Sequence, residues 1–209
     1  MGEITDIQQQ KRRQGRVSIY VDQEFWTGMP AEIAGEHDLR IGQMISSERQ
    51  EEIGQQIAEE SALGAALNLF SYRDRSESEM RRRLTEKGFG EAVVTQTIAL
   101  LEEYNYLDDQ AFANQLAEQQ LARGRGRRAA AHALSQAGLD PELVAQALSA
   151  VYQSETEIDA AVAWLERKPV PQNQAERQKL LRNLASRGFS FDVAQEALTR
   201  QQAGNEAAN

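Results

Sequence analysis

Three related stretches, fifty residues apart, decide the fold: LTEKGFGEAVV at Leu84–Val94, LSQAGLDPELV at Leu134–Val144 and LASRGFSFDVA at Leu184–Ala194. Each copy has a leucine four residues before a glycine and an aliphatic pair five and six residues after it. Apolar side chains at these spacings share one face of a helix. The glycine between the two segments can take the left-handed conformation that closes a helix without a Cβ penalty. Each copy is therefore predicted to be a helix, a glycine stop and a second helix.

A further helix precedes each pair, so the repeat is a unit of three helices. The apolar periodicity predicts these leading helices over roughly 58–73, 108–122 and 155–168. Start signals agree with this division. SESE at Ser76–Glu79 is a capping box, DPEL at Asp140–Leu143 gives an Asp cap with proline at the first helical position, and SETE at Ser154–Glu157 opens another helix. Because one unit cannot bury its apolar face alone, we expect the three units to stack as a solenoid-like array.

The N-terminal quarter has a different pattern. RVSIYVD at Arg16–Asp22 alternates apolar and polar residues, which predicts a half-buried strand, and QEFWTGM can pair back on it through a tight turn at Asp22–Glu24. Leu39–Ser46 is expected to add a short strand or turn, and Ser47 with Gln50 stands in capping-box positions of the next helix. The fold class is thus all-α with a small N-terminal β-hairpin appendage. The expected domains are 1–46 (the appendage), 47–107 (repeat 1 with a lead-in helix), 108–154 (repeat 2) and 155–209 (repeat 3 with a disordered tail).

Composition excludes several classes of protein. The 209 residues contain no cysteine, and no apolar run approaches the length of a bilayer span. The N-terminus lacks the apolar region of a secretory signal, so we expect a cytoplasmic protein with no membrane association. The net charge of −9 disfavours binding of nucleic acid by attraction over the whole surface, which requires the opposite sign.

The charges are nevertheless segregated. The segment leading into each middle helix is basic, and arginine outnumbers lysine in all three: Arg81, Arg82, Arg83 and Lys87; Arg123, Arg125, Arg127 and Arg128; Arg177, Lys179, Arg182 and Arg187. One interpretation is solvated helix faces with bases near C-termini, where the macrodipole favours them. The other is a recurring surface for an anionic partner, since arginine makes forked contacts with phosphate and carboxylate. The residues predicted to bind a partner or DNA are Arg73, Arg75, Arg81, Arg82, Arg83, Lys87, Arg123, Arg125, Arg127, Arg128, Lys179 and Arg182.

Enzyme chemistry finds little support in the sequence. His37 and His132 have no ligand spacing around them, so no metal site is expected. Asp108 and Asp109 could form a carboxylate pair, but they directly precede a helix, where capping is the usual explanation. No set of nucleophile, base and orienting group is recognisable. We expect neither catalysis nor a cofactor.

The aromatic residues allow two interpretations. Trp26 and Trp164 are predicted to be packing residues. Tyr104 and Tyr106 could stack on nucleic-acid bases, although apolar anchoring at a repeat junction is the simpler expectation.

Four motifs together resemble the RecX family of bacterial recombination regulators. They are SYRDRSESEMRRRLTEKGF (Ser71–Phe89), YLDDQAFA (Tyr106–Ala113), GRGRRAAAHALSQAGL (Gly124–Leu139) and RQKLLRNLASRGFSFDVAQEAL (Arg177–Leu198). The resemblance runs from roughly Gly15 to Gln202 and includes the N-terminal strand region. The YLDD element followed by a Gly/Arg-rich segment is fairly specific, whereas the helical period alone is not.

The resemblance implies a function that periodicity does not supply. A member of this family is expected to be a monomeric, curved array of three three-helix units that binds the RecA recombinase on single-stranded DNA. It would restrain filament growth, ATP hydrolysis, strand exchange and co-protease activity, and so regulate recombination, DNA repair and the SOS response. Ala129–Ala131 replace a more basic and aliphatic segment of the family, which leaves the contact surface of repeat 2 open. The alternative is a helical module that binds single-stranded nucleic acid directly; a general helical adaptor is a third interpretation.

Overall fold

The computed structural model describes residues 1–11 and 14–207, with side chains through residue 205. The chain forms two compact units: Met1–Arg73 with Arg81–Leu100, and Asp74–Met80 with the chain from Leu101 onward. The described residues contain ten helices and four strands, so the expectation of a mostly helical protein is confirmed. Within this part of the chain, no helix is long and apolar enough to cross a membrane.

The N-terminal appendage is a four-stranded antiparallel sheet rather than a lone hairpin. Its strands are β1 (Gly2–Gln9), β2 (Arg16–Val21), β3 (Glu24–Pro30) and β4 (Met44–Ile45), in the spatial order β3-β2-β1-β4. The predicted hairpin is confirmed as β2 and β3. Asp22 and Gln23 both have positive φ, 50° and 70°, which matches the tight turns that suit the right-handed twist of a hairpin.

Strand β1 was not predicted because its apolar residues do not alternate. Ile4 and Ile7 lie three residues apart, a spacing that a regular strand would place on opposite faces. The pairing of β1 with β2 shifts register between Ile4 and Asp6. Such a bulge inserts one residue, so both isoleucines join the same core.

Two helices complete the apolar core of this sheet. Helix α1 (Ala31–Glu36) contributes Ile33, and helix α2 (Ser47–Phe70) contributes Ile53, both at most 3% exposed. Helix α2 is continuous, so the lead-in helix and the predicted helix over 58–73 are one element. Its cap is Ser46, one residue before the predicted Ser47: the Ser46 hydroxyl accepts a hydrogen bond from the Arg49 N–H at 3.2 Å.

The three repeated stretches form the predicted helix pairs. The remaining helices are α3 (Glu77–Glu86), α4 (Glu91–Glu103), α5 (Asp109–Ala122), α6 (Arg127–Gln136), α7 (Pro141–Val151), α8 (Ser154–Leu165), α9 (Gln174–Ser186) and α10 (Phe191–Ala207). The predicted apolar face is confirmed, because Leu84, Leu134 and Leu184 are fully buried. The predicted caps Ser76 and Asp140 both accept backbone N–H groups, from Glu79 and Glu142.

The glycine of each copy is left-handed, as predicted. Gly88, Gly138 and Gly188 have φ of +91°, +78° and +92°. Two of them are also sites of close approach. A Cβ on Gly138 would lie 2.3 Å from the Ser78 hydroxyl oxygen, and one on Gly188 would lie 2.4 Å from the backbone nitrogen of Ala129. In the second unit, therefore, a glycine turn is also the surface on which the start of an earlier helix rests.

The same helix starts receive a carboxylate from the second helix that follows them in the chain. The backbone N–H of Glu77, at the start of α3, donates to Asp109 on α5 at 2.8 Å. The backbone N–H of Arg127, at the start of α6, donates to Glu157 on α8, also at 2.8 Å. Because the first N–H groups of a helix have no partner within the helix, these carboxylates satisfy donors that would otherwise be lost to burial.

The first turn of α3 and of α6 thus packs on a later glycine turn and a later carboxylate, and we call this packing the helix-start contact. Further hydrogen bonds complete it. At α6, the Gly126 N–H donates to Arg187 O at 3.0 Å and the Arg128 N–H donates to Gly188 O at 3.1 Å. At α3, the Ser76 hydroxyl donates to Ala137 O, beside Gly138. The fifty-residue period thus places matching contacts at two positions of the second unit.

Helix α10 extends further than the sequence suggested. The predicted disordered tail is helical through Ala207, and residues 208 and 209 lie outside the described part of the chain. The segment contains no proline, and its alanine and glutamine residues are good helix formers. Gln201 also holds the helix in place, because its amide donates to Leu165 O at 2.8 Å.

We expect Gly188→Ala and Gly138→Ala to destabilise their turns more than Gly88→Ala does. All three substitutions place Ala at positive φ, which costs about 1–2 kcal/mol. Only at Gly138 and Gly188 does the new methyl group also meet Ser78 or Ala129, whereas no described atom lies within 4 Å of a Cβ at Gly88.

Hydrogen exchange measured by mass spectrometry on peptides covering each turn tests this, because it reports the local opening of each turn separately. Equal losses of protection at the three turns would mean that backbone conformation alone requires glycine and that the close approach contributes nothing.

Candidate interaction surface

Two of the predicted binding arginines are engaged within the fold. Arg75 forms an ion pair with Glu79, and both side chains are 9% exposed. The guanidinium of Arg127 donates to Leu148 O at 2.9 Å and to Tyr152 O at 3.3 Å, and so satisfies carbonyls at the C-terminus of α7. These interactions give both residues a structural role.

The first basic cluster, in the first unit, is locally paired at the surface. Arg83 lies 3.0 Å from Glu86, Arg82 lies 3.9 Å from the same carboxylate, and Arg81 donates to Thr95 at 3.3 Å. Exposed pairs of this kind contribute little to stability. Lys87 and Arg73 are also exposed. Of these cations, Arg81 is half-buried and the others are exposed to differing extents, for example 44% for the Arg83 side chain and 62% for that of Arg82.

Five predicted cations of the second unit project into solvent: Arg123, Arg125, Arg128, Lys179 and Arg182. Among the residues that the structure describes, none of these five side chains has a hydrogen-bond or ion-pair partner. Arg128 lies in the first turn of α6, which contains no acidic residue. A cation at a helix N-terminus opposes the macrodipole, so the interpretation of bases placed to stabilise helix ends does not apply to Arg128.

A second basic and aromatic group lies where the sequence predicted only packing. The guanidinium of Arg187 donates to Gly124 O at 2.9 Å and to Arg123 O at 3.1 Å, and its carbon lies 5.1 Å from the ring centroid of Trp164. The Lys168 ammonium lies 5.3 Å from the same centroid. Burial, and then the charge of Arg125, lower the pKa of Arg187 below its ordinary value.

A pocket of about 690 Å³ opens beside Trp164, between the end of α5 and helix α8. Its lining includes four cations and two carboxylates: Arg123, Arg167, Lys168, Arg187, Glu118 and Asp159. Arg167 and Lys168 were absent from the predicted set. The available sequence signal was a tryptophan four residues before a lysine on one predicted helix, which places both on the same face.

The acidic pair Asp108 and Asp109 has a capping role, as favoured by the sequence. Asp108 accepts the Ala111 N–H at 2.9 Å at the start of α5, and Asp109 accepts the Glu77 N–H. Burial raises the pKa of Asp109, and the neighbouring Glu77 and Asp108 charges add to the rise, while the hydrogen bond lowers it. Each carboxylate therefore serves a different helix start.

The aromatic residues differ in where the structure places them. Trp26 packs against the core of the N-terminal sheet, which confirms its predicted role. Tyr104 and Tyr106 are 64% and 53% exposed, so they lie at the surface rather than anchored in a core. Tyr152 is buried instead: its hydroxyl donates to Arg125 O at 3.0 Å, and burial followed by the Glu157 charge raises its pKa.

Comparison with known proteins identifies the family to which the chain belongs. The regulatory protein RecX N-terminal domain matches residues 2–46, and the first, second and third three-helix domains of RecX match residues 62–101, 108–148 and 155–198. The regulatory protein RecX of Clostridium perfringens (strain SM101) is 31% identical over 212 residues, covering 99% of each chain. That of Bacillus licheniformis is 30% identical over 200 residues, covering 93% of this chain and 76% of the relative. The chain belongs to the RecX family, which is a family of regulatory proteins and not a known enzyme family.

Solved structures support the fold. A crystal structure of regulatory protein RecX superposes with a TM-score of 0.65 at 22% identity, covering 93% of this chain and 98% of that one. The structure of RecX from Lactobacillus salivarius gives a TM-score of 0.63 at 20% identity and covers 70% of this chain and 97% of that one.

We expect Arg127→Ala to destabilise the second unit, while the double variant Arg125→Ala with Arg128→Ala leaves its stability within about 0.5 kcal/mol of the parent. The first removes a charged donor from two α7 carbonyls, a loss of about 1.5–3 kcal/mol. The second removes two exposed side chains and keeps the Arg125 carbonyl that Tyr152 uses.

Urea denaturation followed by circular dichroism measures both. A double variant as unstable as Arg127→Ala would contradict the division into arginines that are hydrogen-bonded within the fold and arginines whose side chains have no described partner.

Proposed function

We propose that this chain binds RecA and the RecA filament on single-stranded DNA, and inhibits its recombinase, ATPase and co-protease activities. The observation that carries the proposal is membership of the RecX family over nearly the whole chain. Two acidic stretches without lysine or arginine, 91–109 and 140–159, also alternate along the sequence with the basic segments, and this suits a partner made of protein and DNA together.

The proposed geometry is a curved array of the three three-helix domains, lying in the filament groove and spanning neighbouring RecA protomers. The domains are proposed to divide at 46, 107 and 154, and the chain to act as a monomer. The helix-start contacts at α3 and α6 support such an array, because the middle helices of two repeats begin in the same way. The exposed cations of the second unit would face DNA or acidic patches, and the acidic helices would face basic protein surface.

A second candidate function is direct binding of single-stranded nucleic acid. It is favoured by the exposed group Arg123, Arg125 and Arg128, since Arg128 lies where the macrodipole disfavours a cation. In this case the chain would limit RecA by covering the strand rather than by contacting the filament.

The two mechanisms differ in stoichiometry, and we expect the filament mechanism. One molecule that spans several protomers should inhibit DNA-dependent ATP hydrolysis well below one copy per RecA protomer. Titration of the chain into a RecA ATPase assay at fixed single-stranded DNA measures this. Doubling the DNA with proportionate RecA should leave the ratio of chain to protomer at half-inhibition unchanged, and doubling the DNA alone should leave inhibition in place.

Inhibition only at strand-saturating amounts, abolished in proportion to added DNA, would reject the filament mechanism and support the second candidate. The matched variants are Arg125→Ala with Arg128→Ala, which should weaken inhibition, and Lys11→Ala with Arg40→Ala, which removes the same charge from the N-terminal unit. Equal loss from both pairs would mean that net charge, rather than this surface, determines inhibition.

A further inference from the structure

The Trp164 pocket combines three properties that the predicted arginine surface lacks. It is concave, its 690 Å³ lies in the range of 300–1,000 Å³ that ligand sites occupy, and it presents an indole beside several cations. Trp164 is partly buried and packs against the core cluster of α8, α9 and α10. The pocket lies wholly within the second unit.

The side chain of Arg187, which lines this pocket, is held in a fixed position. Its two hydrogen bonds to carbonyls at the end of α5 fix the guanidinium plane near the indole. A fixed guanidinium and an indole both provide planar faces on which a nucleobase can stack.

The Lys168 side chain, unlike that of Arg187, is not fixed by hydrogen bonds to described residues. It is exposed and, among the described residues, it has no hydrogen-bond or ion-pair partner; its ammonium rests near the Trp164 ring. Since an exposed cation–π contact is weak, a planar ligand can displace Lys168 from the ring. The freed ammonium can then reach an anionic group next to the stacked ring.

The charge lining the pocket favours an anion. Arg123, Arg167, Lys168 and Arg187 outnumber Glu118 and Asp159 four to two, in a chain whose net charge is −9. The two carboxylates limit the negative charge that the pocket itself can accept, so it suits one nucleotide of a strand, with a single phosphate beside a neutral aromatic ring.

We propose that this pocket is a stacking subsite for one nucleotide of single-stranded DNA. The base stacks on Trp164, Arg187 supports the stacked pair, and Lys168 with Arg167 holds the adjoining phosphate. The subsite concerns the chain's own contact with DNA and needs no RecA, so it extends the proposed function without depending on filament binding.

Trp164 fluorescence tests the stacking directly, because the chain has only two tryptophans. In a Trp26→Phe background, Trp164 is the sole indole. We expect a dT12 oligonucleotide to quench its emission, and a 12-mer of abasic sites with the same phosphates to bind more weakly without comparable quenching. Equal quenching by the abasic strand would overturn the stacking.

Variants assign the residues by anisotropy of fluorescein-labelled dT12, measured without RecA. Trp164→Leu should weaken binding about tenfold, with Trp164→Phe intermediate, since stacking on an aromatic ring is lost or reduced. Lys168→Gln should lower the dependence of affinity on salt, and Lys11→Gln, an exposed lysine outside the pocket, should not. Unchanged affinity in Trp164→Leu would overturn the proposal.

An acidic peptide is the competing occupant. A 12-residue polyglutamate peptide that quenched Trp164 as strongly as dT12, at equal concentration, would replace the nucleotide with a protein ligand. The RecA ATPase assay on Trp164→Leu separates the subsite from the proposed inhibition of RecA. Loss of DNA affinity with retained inhibition would support the subsite and show that inhibition does not need it. Loss of inhibition with retained DNA affinity would reject the subsite.

Discussion

The packing of the second unit depends on how the free backbone N–H groups in the first turn of a helix are hydrogen-bonded. The first N–H groups of α3 and α6 have no acceptor within their own helices, and a carboxylate from a later helix, Asp109 or Glu157, supplies one. Glu157 is only 7% exposed and its bond to the Arg127 N–H is part-buried, so its removal would leave that N–H without its acceptor, at a cost of about 1 kcal/mol. The glycine turn beside each contact then has to be bare, because a Cβ would enter the packed helix start.

This constraint also determines which cations remain available to a partner. Arg127 and Arg187 lie at the contact around α6, and both donate to carbonyls at helix ends. Arg125 and Arg128 flank Arg127 in the sequence, but their exposed side chains have no hydrogen-bond or ion-pair partner among the described residues. The basic stretch at the start of α6 thus contains one arginine that holds the helix in place by hydrogen bonds and two whose charges are available at the surface. The arginines therefore cannot be treated as equivalent.

The sequence predicted features that depend on local chemistry. The left-handed turns at Gly88, Gly138 and Gly188, the caps at Ser76 and Asp140, and the β2–β3 hairpin follow from residue type and spacing alone. Strand β1 did not, because its bulge breaks the alternation on which strand prediction depends. The Trp164 pocket was missed for a different reason: Arg187 is 23 residues from Trp164, and only tertiary folding brings the guanidinium to the ring.

The most direct test of the central claim is amide hydrogen exchange at Arg127, measured by NMR in Glu157→Ala, Glu157→Gln and Glu155→Ala. Glu157→Gln keeps an acceptor for the N–H, and Glu155 is an exposed neighbour that pairs with Arg200. The account predicts that the Arg127 amide loses protection in Glu157→Ala and retains most of it in the other two variants. Unchanged protection of Arg127 in Glu157→Ala would contradict the claim that this carboxylate holds the start of α6.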